Sequence, residues 1–308
     1  MTDKNALIIG ATGLLGYGVT EKLSKCGWNV RAIGKDPVDK VFFNDSIEYI
    51  DCDFYDEKIL RKMLTRIDKV FFFLSTTFPS SSIDSLKLEV DQTIYSLDYL
   101  IRTMRNCGVS EIIFPSSGGT VYGDIPVGKA KEDDILKPTT PYGVGKMLCE
   151  KILAFYADHG IVPTVLRVGN VYGSPLIRKK AQGAIDVFVQ KALAHDKITI
   201  WGNALASIRD YIFLDDFALA VSKIANMSFS GMEIFNISYG KGTTLGDILK
   251  LIEANIGCTL DVEYSSNESE SSIKRVVLDN SKVTKATGWT PKYDINSGII
   301  ETIIRKNR

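Results

Sequence analysis

A glycine-rich turn, Gly10-Ala11-Thr12-Gly13-Leu14-Leu15-Gly16, stands between the short apolar run Ala6 to Ile9 and an amphipathic stretch from about Leu14 to Cys26. The periodicity on its two sides makes a strand before it and a helix after it. Few folds place three glycines there. Gly10 makes the tight turn, Gly13 lets a pyrophosphate approach the backbone, and Gly16 lets the helix pack closely on the strand. The helix N-terminus then presents free N–H groups and the positive end of a dipole to phosphates. Gly10, Thr12, Gly13, Leu14, Leu15 and Gly16 are thus candidate dinucleotide ligands, with a single phosphate as the competing reading.

The strand-then-helix rhythm continues. Val30 to Ile33, Tyr49 to Asp51, Val70 to Leu74, Ile112 to Phe114 and Thr164 to Val168 read as strands, with helical stretches at about 56–66, 83–106 and 142–158. Phe71, Phe72 and Phe73 in succession suit a central strand covered on both faces, which a half-solvated antiparallel strand would not allow. Right-handed crossovers between such units give an α/β chain built on a doubly wound parallel sheet, the Rossmann arrangement. Beyond about residue 170 the elements shorten: a helix near Ala184 to Ala194, a strand Ile198 to Trp201, and helices near 216–226, 244–255 and 296–306. Residues 1–170 therefore read as a nucleotide-binding domain, and 171–308 as a smaller C-terminal substrate lobe partly interleaved with it. The stretch Ser265 to Ser272 reads as a solvated loop, and Arg305, Lys306 and Arg308 as complements to the negative end of the last helix.

Composition narrows the partners. The 308 residues carry 37 basic and 37 acidic side chains, with no basic run of the kind nucleic acid or an anionic membrane demands. The longest apolar stretches, such as Val70 to Leu74, are far short of the roughly 20 residues of a membrane span, and the N-terminus lacks a signal-peptide core. Cys26, Cys52, Cys107, Cys149 and Cys258 have no CxxC spacing and read as free thiols of a cytoplasmic protein with no metal site. His159 and His195, both near helix ends, read as ordinary capping or surface residues.

The tip of the second strand decides which dinucleotide fits. An acidic residue there would hold a ribose 2′-hydroxyl, but the strand ends Gly34-Lys35, placing an ammonium where a 2′-phosphate would lie. This favours NADP(H) over NAD(H), with Asp36 close enough to argue for NAD. Asp53, after the third strand, is a candidate acceptor for the adenine edge or else a helix cap.

Tyr142 and Lys146 are four residues apart, hence on one face of a helix. The preceding strand ends in Ser116-Ser117-Gly118-Gly119-Thr120, so hydroxyls gather at a strand's C-terminal end, where doubly wound folds bind ligands. A phenol titrates near pH 10, but a neighbouring lysine and a cationic nicotinamide both favour the phenolate, which makes Tyr142 a candidate acid/base toward a sugar hydroxyl.

Together the three glycines, Ser116-Ser117 through Thr120-Val121-Tyr122-Gly123, Tyr142 with Lys146, and Arg167-Val168-Gly169-Asn170-Val171-Tyr172-Gly173 resemble the extended short-chain dehydrogenase/reductase family. Within it the chain is similar to the nucleotide-sugar epimerase, dehydratase and reductase branch typified by UDP-glucose 4-epimerase. The resemblance runs into the second lobe at Ile200-Trp201-Gly202-Asn203 and Arg209-Asp210-Tyr211-Ile212. It implies that Tyr142 is the acid/base, Lys146 its partner and a ribose ligand, Asn170 a contact to sugar or diphosphate, and Arg209 a diphosphate ligand; Arg suits phosphate because its planar fork matches the oxygens. It also implies a nucleotide-diphosphate sugar as partner, and a homodimer formed through the helices at 83–106 and 142–158.

Two departures stand out. The family's catalytic hydroxyl position is Gly118, so Ser117 or Thr120 substitutes or the hydroxyl is dispensed with, and a second family arginine is replaced by the Ser269 region; the basic run Arg178-Lys179-Lys180 reads first as a solvated loop and second as a compensating diphosphate contact. The functional expectation is a reductase delivering hydride from NADPH to a nucleotide-activated 4-keto-6-deoxyhexose, with an NAD-dependent 4-epimerase as the alternative and a non-catalytic dinucleotide sensor as a third reading. A 4,6-dehydratase fits less well, because Gly118-Gly119 stand where that chemistry uses an acidic pair.

Overall fold

A computed structural model describes residues 4–34, 43–75, 86–175, 183–201, 204–265 and 273–307. The chain begins β1 (Asn5–Ile9), α1 (Leu14–Lys25), β2 (Asn29–Gly34), β3 (Ile47–Asp51), α2 (Glu57–Met63) and β4 (Lys69–Phe72). The helix expected at 83–106 is instead α3 (Leu86–Leu88), a π-helical turn (Glu89–Ile94) and α4 (Tyr95–Asn106). Next come β5 (Glu111–Ser117), α5 (Gly118–Val121), α6 (Pro141–Ala157), β6 (Val162–Val168), β7 (Asn170–Tyr172), α7 (Ala184–Leu193) and β8 (Ile198–Trp201). A 3-10 turn at Ala204–Ala206 leads to β9 (Ile208–Phe213), α8 (Leu214–Ala225), β10 (Glu233–Ile237), β11 (Gly242–Thr244), α9 (Leu245–Ile256), β12 (Val262–Ser265), α10 (Ser281–Thr287) and α11 (Ile295–Lys306).

Seven strands form the main sheet in the order β10-β6-β5-β4-β1-β2-β3. The pairs β1–β2, β1–β4, β2–β3 and β4–β5 are parallel, and the order reverses between β1 and β4. This is the doubly wound Rossmann sheet, whose ligand crevice lies beyond the strand ends at that reversal. All four residues of β4 are buried, the lysine included. Lys69 tolerates this because its ammonium meets Glu111 of the neighbouring strand at 2.8 Å.

The chain divides into two compact units. Met1–Ser117, Thr140–Arg167 and Ala218–Phe235 form the first; Gly118–Thr139, Val168–Phe217 and Asn236–Arg308 form the second. The first is filled by side chains such as Phe54, Phe72, Leu100, Met104, Phe114 and Leu153, each worth about 1.5–3 kcal/mol when fully buried. The second holds two small sheets, β11-β9-β7 and β12-β8, and a core around Phe188, Ile198, Phe213 and Ile248.

The cations of α11 do more than answer the helix dipole. Arg305 reaches Asp215 at 2.7 Å and Glu301 at 3.1 Å, and Lys306 lies 3.4 Å from Asp186, both nearly sealed from solvent. Arg308 lies outside the described residues, as do 266–272 of the serine-rich stretch. All five cysteines are free thiols. Among the described residues, no helix is long and apolar enough to cross a membrane, and no cluster of His, Cys, Asp or Glu could hold a metal ion.

Candidate active site

The glycine turn is hung on the end of β2: the N–H groups of Gly10 and Ala11 both donate to the Ile33 carbonyl, at 2.9 and 3.1 Å. Gly10 adopts φ +83°, and a Cβ there would sit 2.8 Å from the Leu74 nitrogen, so both the turn and the end of β4 require glycine. A Cβ on Gly16 would sit 2.2 Å from the Gly10 carbonyl oxygen, so its absence lets α1 close on the turn. Gly13 is the N-cap of α1 and supplies no side-chain acceptor, and no acidic residue occupies the first turn. The first N–H groups of the helix, Leu14 and Leu15 among them, are therefore left without a side-chain cap at the sheet's reversal point, which suits a pyrophosphate. Thr12 is buried beneath the turn.

The adenosine end is only partly described. Lys35 and Asp36, which carry the choice between NADP(H) and NAD(H), lie outside the described residues. Asp53 is exposed and accepts from the Tyr55 N–H at 3.0 Å, but it does not cap α2. That task falls to Asp56, which accepts from Lys58 and Ile59.

α6 starts cleanly. Thr140 accepts from the Gly143 N–H at 3.2 Å, a cap worth about 1 kcal/mol, and Pro141 sits at a position where its missing N–H costs nothing. One turn in, Lys146 is 2% exposed, donates to the Pro115 carbonyl at 3.0 Å, and lies 4.7 Å from the Phe114 ring centre and 5.5 Å from that of Tyr142. Burial lowers its pKa from the usual lysine value. The Tyr142 phenol is hydrogen-bonded to Ser117, and Thr120 is buried in α5.

The electrostatics correct one expectation. Desolvation pushes Tyr142 well above the ordinary phenol value, the Glu89 carboxyl pushes the same way, and the Ser117 hydrogen bond opposes them. Proximity to Lys146 alone does not produce a phenolate here. Glu89 itself was not legible as a site residue: it is an acid inside an amphipathic run, with no spacing to Tyr142 that a linear reading detects. Cys149, also buried beside Lys146, has its thiol pushed up to about 12 by burial and stays neutral.

The remaining candidates belong to the second unit. Asn170 is exposed at the start of β7, and Gly119 makes room for it: a Cβ there would sit 2.9 Å from Asn170 Oδ1. Arg209, on β9, donates to the carbonyls of Ile208 (3.1 Å) and Ile273 (2.7 Å). The carboxylate that faces this guanidinium among the described residues is Asp124, and burial lowers the Arg209 pKa from the usual arginine value. The neighbouring Asp210 turns inward, accepting backbone N–H groups from Tyr239, Gly240 and Leu278 at 3.1 Å each. Arg178, Lys179, Lys180, Gly202, Asn203 and Ser269 lie outside the described residues.

A seven-stranded Rossmann sheet with an uncapped glycine turn at its reversal point, and a tyrosine, serine and lysine around β5 and α6, defines a dinucleotide-dependent enzyme architecture. The chain belongs to the NAD dependent epimerase/dehydratase family, whose pattern residues 6–238 match. Its members are enzymes of nucleotide sugars. A putative UDP-glucose 4-epimerase of Methanocaldococcus jannaschii is 27% identical over 296 residues, 95% of each chain. The dTDP-4-dehydro-6-deoxyglucose reductase of Escherichia coli is 30% identical over 252 residues, 80% of this chain and 78% of that one. A crystal structure of the Thermotoga maritima UDP-glucose 4-epimerase with UDP-glucose superimposes with a TM-score of 0.88 at 26% identity, covering 98% of both chains.

Proposed function

We propose that this chain is an NAD-dependent 4-epimerase acting on a UDP-sugar. The observation that carries the reading is the Ser117–Tyr142 hydrogen bond beside the buried Lys146, one proton-transfer group at the end of β5. Similarity along nearly the whole chain to proteins named UDP-glucose 4-epimerase supports it over the reductase, whose match is shorter.

A bound nicotinamide would take hydride from C4 of the sugar and return it to the opposite face. The protein's own groups do the rest. Tyr142 as the phenolate accepts the C4 hydroxyl proton and as the phenol later gives it back, its oxygen held by the hydrogen bond with Ser117. Lys146 places its ammonium beside the Tyr142 ring, anchored on the Pro115 carbonyl, and would hold the nicotinamide ribose. Gly10, Thr12, Gly13, Leu14, Leu15 and Gly16 would hold the pyrophosphate on α1, and Asp53 would meet the adenine edge. Arg209 and Asn170 bind the diphosphate and sugar. Because an epimerase returns its hydride and does not exchange the dinucleotide, the reading takes resident NAD, against the weight that Lys35 gives to NADP(H).

The test is an assay of UDP-glucose and UDP-galactose interconversion with no nucleotide added. Turnover with unchanged nicotinamide absorbance is expected, with NAD released on denaturation. The second reading, a reductase, rests on the E. coli relative; stoichiometric NADPH oxidation by dTDP-4-dehydro-6-deoxyglucose, with no interconversion of UDP-sugars, would replace the first by it.

We further propose a homodimer in the cytoplasm, paired through α4 and α6. Tyr95 and Phe155 are 58% and 59% exposed, and with Ile94 and Ile152 they line one hollow of the surface. Light scattering is expected to give twice the 34.1 kDa chain mass, and Phe155→Lys to give the monomer.

A further inference from the structure

Glu89 is fully buried in the π-helical turn that interrupts the helix before α4. Such turns are rare, and they recur at functional sites. Its Oε2 accepts from the Thr93 hydroxyl at 3.2 Å, while Oε1, equally buried, has no hydrogen-bond partner among the described residues. The carboxyl presses on α6 at Gly145, where a Cβ would lie 2.7 Å from Oε2. Glycine at this position, between Tyr142 and Lys146, is what admits an acid to that face. A buried acid with an unsatisfied oxygen is costly unless it has a task.

The surroundings single out Glu89 among the acids there. Tyr142 faces Glu89 from the π turn, Cys149 from its own helix and Ser117 from β5. Lys146 faces Cys149, Glu89 and Glu150. The Cys149 thiol is neutral, and Glu150 is already paired with Arg167 at 2.8 Å. Among the described residues Glu89 forms no ion pair, and Lys146 is the cation that faces it.

We infer that Glu89 is a positioning residue for the Tyr142–Lys146 pair: its carboxyl, admitted by Gly145 and held by Thr93, sets the charge against which the phenol gives up and recovers its proton. It works against loss of the phenol proton and in favour of the protonated form of Lys146. The inference rests on the reading of Tyr142 as the acid/base.

The test reads Tyr142 itself, without a sugar. Tyrosinate absorbance of the NAD-loaded protein is titrated with pH, and subtraction of the Tyr142→Phe protein isolates the one phenol. In Glu89→Gln the midpoint is expected about one pH unit lower, the scale of losing one nearby like charge, while Glu89→Asp stays near the wild-type midpoint. Glu89→Met, of similar volume and without polar atoms, gives the same downward shift should the Gln protein not fold. An unmoved midpoint in both neutral variants overturns the inference, and so does an equal shift in Glu89→Asp, which would make shape rather than charge the cause. Should no UDP-sugar be turned over, the proposed reaction falls while this titration still decides on Glu89.

Discussion

Tyr142→Phe is expected to lower turnover of the nucleotide sugar by about 10²–10⁴-fold, the usual contribution of a positioned acid/base, and to leave dinucleotide binding unchanged. The substitution removes one oxygen. The ring remains in place to cover Lys146, whose Nζ lies 5.5 Å from its centre, and the glycine turn on α1 is untouched. The loss should fall on kcat with KM little altered, since the phenol acts on the proton in flight and not on the bound diphosphate. Ser117→Ala, which deletes the hydrogen bond orienting the phenol, is expected to produce a smaller loss in the same direction. Steady-state rates combined with the amount of NAD released on denaturation separate the two quantities. A Phe variant that keeps wild-type turnover within a few-fold would remove Tyr142 from the chemistry and leave Ser117 to be sought as the proton carrier.

What a linear reading finds and misses follows from the range of each interaction. The glycine turn, β1 through β6 and the pairing of Tyr142 with Lys146 are carried by patterns within about one element, so periodicity reveals them. β10, Glu233–Ile237, is an edge strand whose only reason to be a strand is β6, far away in sequence. The π turn is similarly hidden, because Glu89 to Ile94 differ from an ordinary helical stretch by one residue per turn. Lys146 is legible as a neighbour of Tyr142, but its 2% exposure is not, nor is the burial of Tyr142 itself, which pushes the phenol up. Ser117 and Thr120 stand equal in sequence; that Ser117 closes β5 and bonds the phenol is a matter of packing. The terminal Lys306 reads as a cation at a helix end, and only packing reveals the sealed Asp186 that it meets.

Glu150→Ala is expected to destabilise the protein by about 3–5 kcal/mol, the range for a buried ion pair that loses one partner. Glu150 and Arg167 are 4% exposed each. The carboxylate takes Arg167 Nε at 3.2 Å and Nη2 at 2.8 Å, and also accepts from the Ser116 hydroxyl. Alanine leaves a guanidinium and a hydroxyl buried with their acceptor gone, at a point where α6, β5 and β6 meet. Urea midpoints measure the loss, and a fall under about 1 kcal/mol would place the pair at the worth of a surface contact. The double replacement Glu150→Leu with Arg167→Met separates charge from function. Apolar substitutes for a buried pair often recover the stability or exceed it, because they remove the desolvation cost on both sides. If they also restored turnover, the pair would serve only the fold. The expected outcome differs: stability returns and the rate does not, since the carboxylate that ties α6 to the Ser116 end of β5 holds Tyr142 and Lys146 in register with Ser117, and leucine exerts no such directional hold.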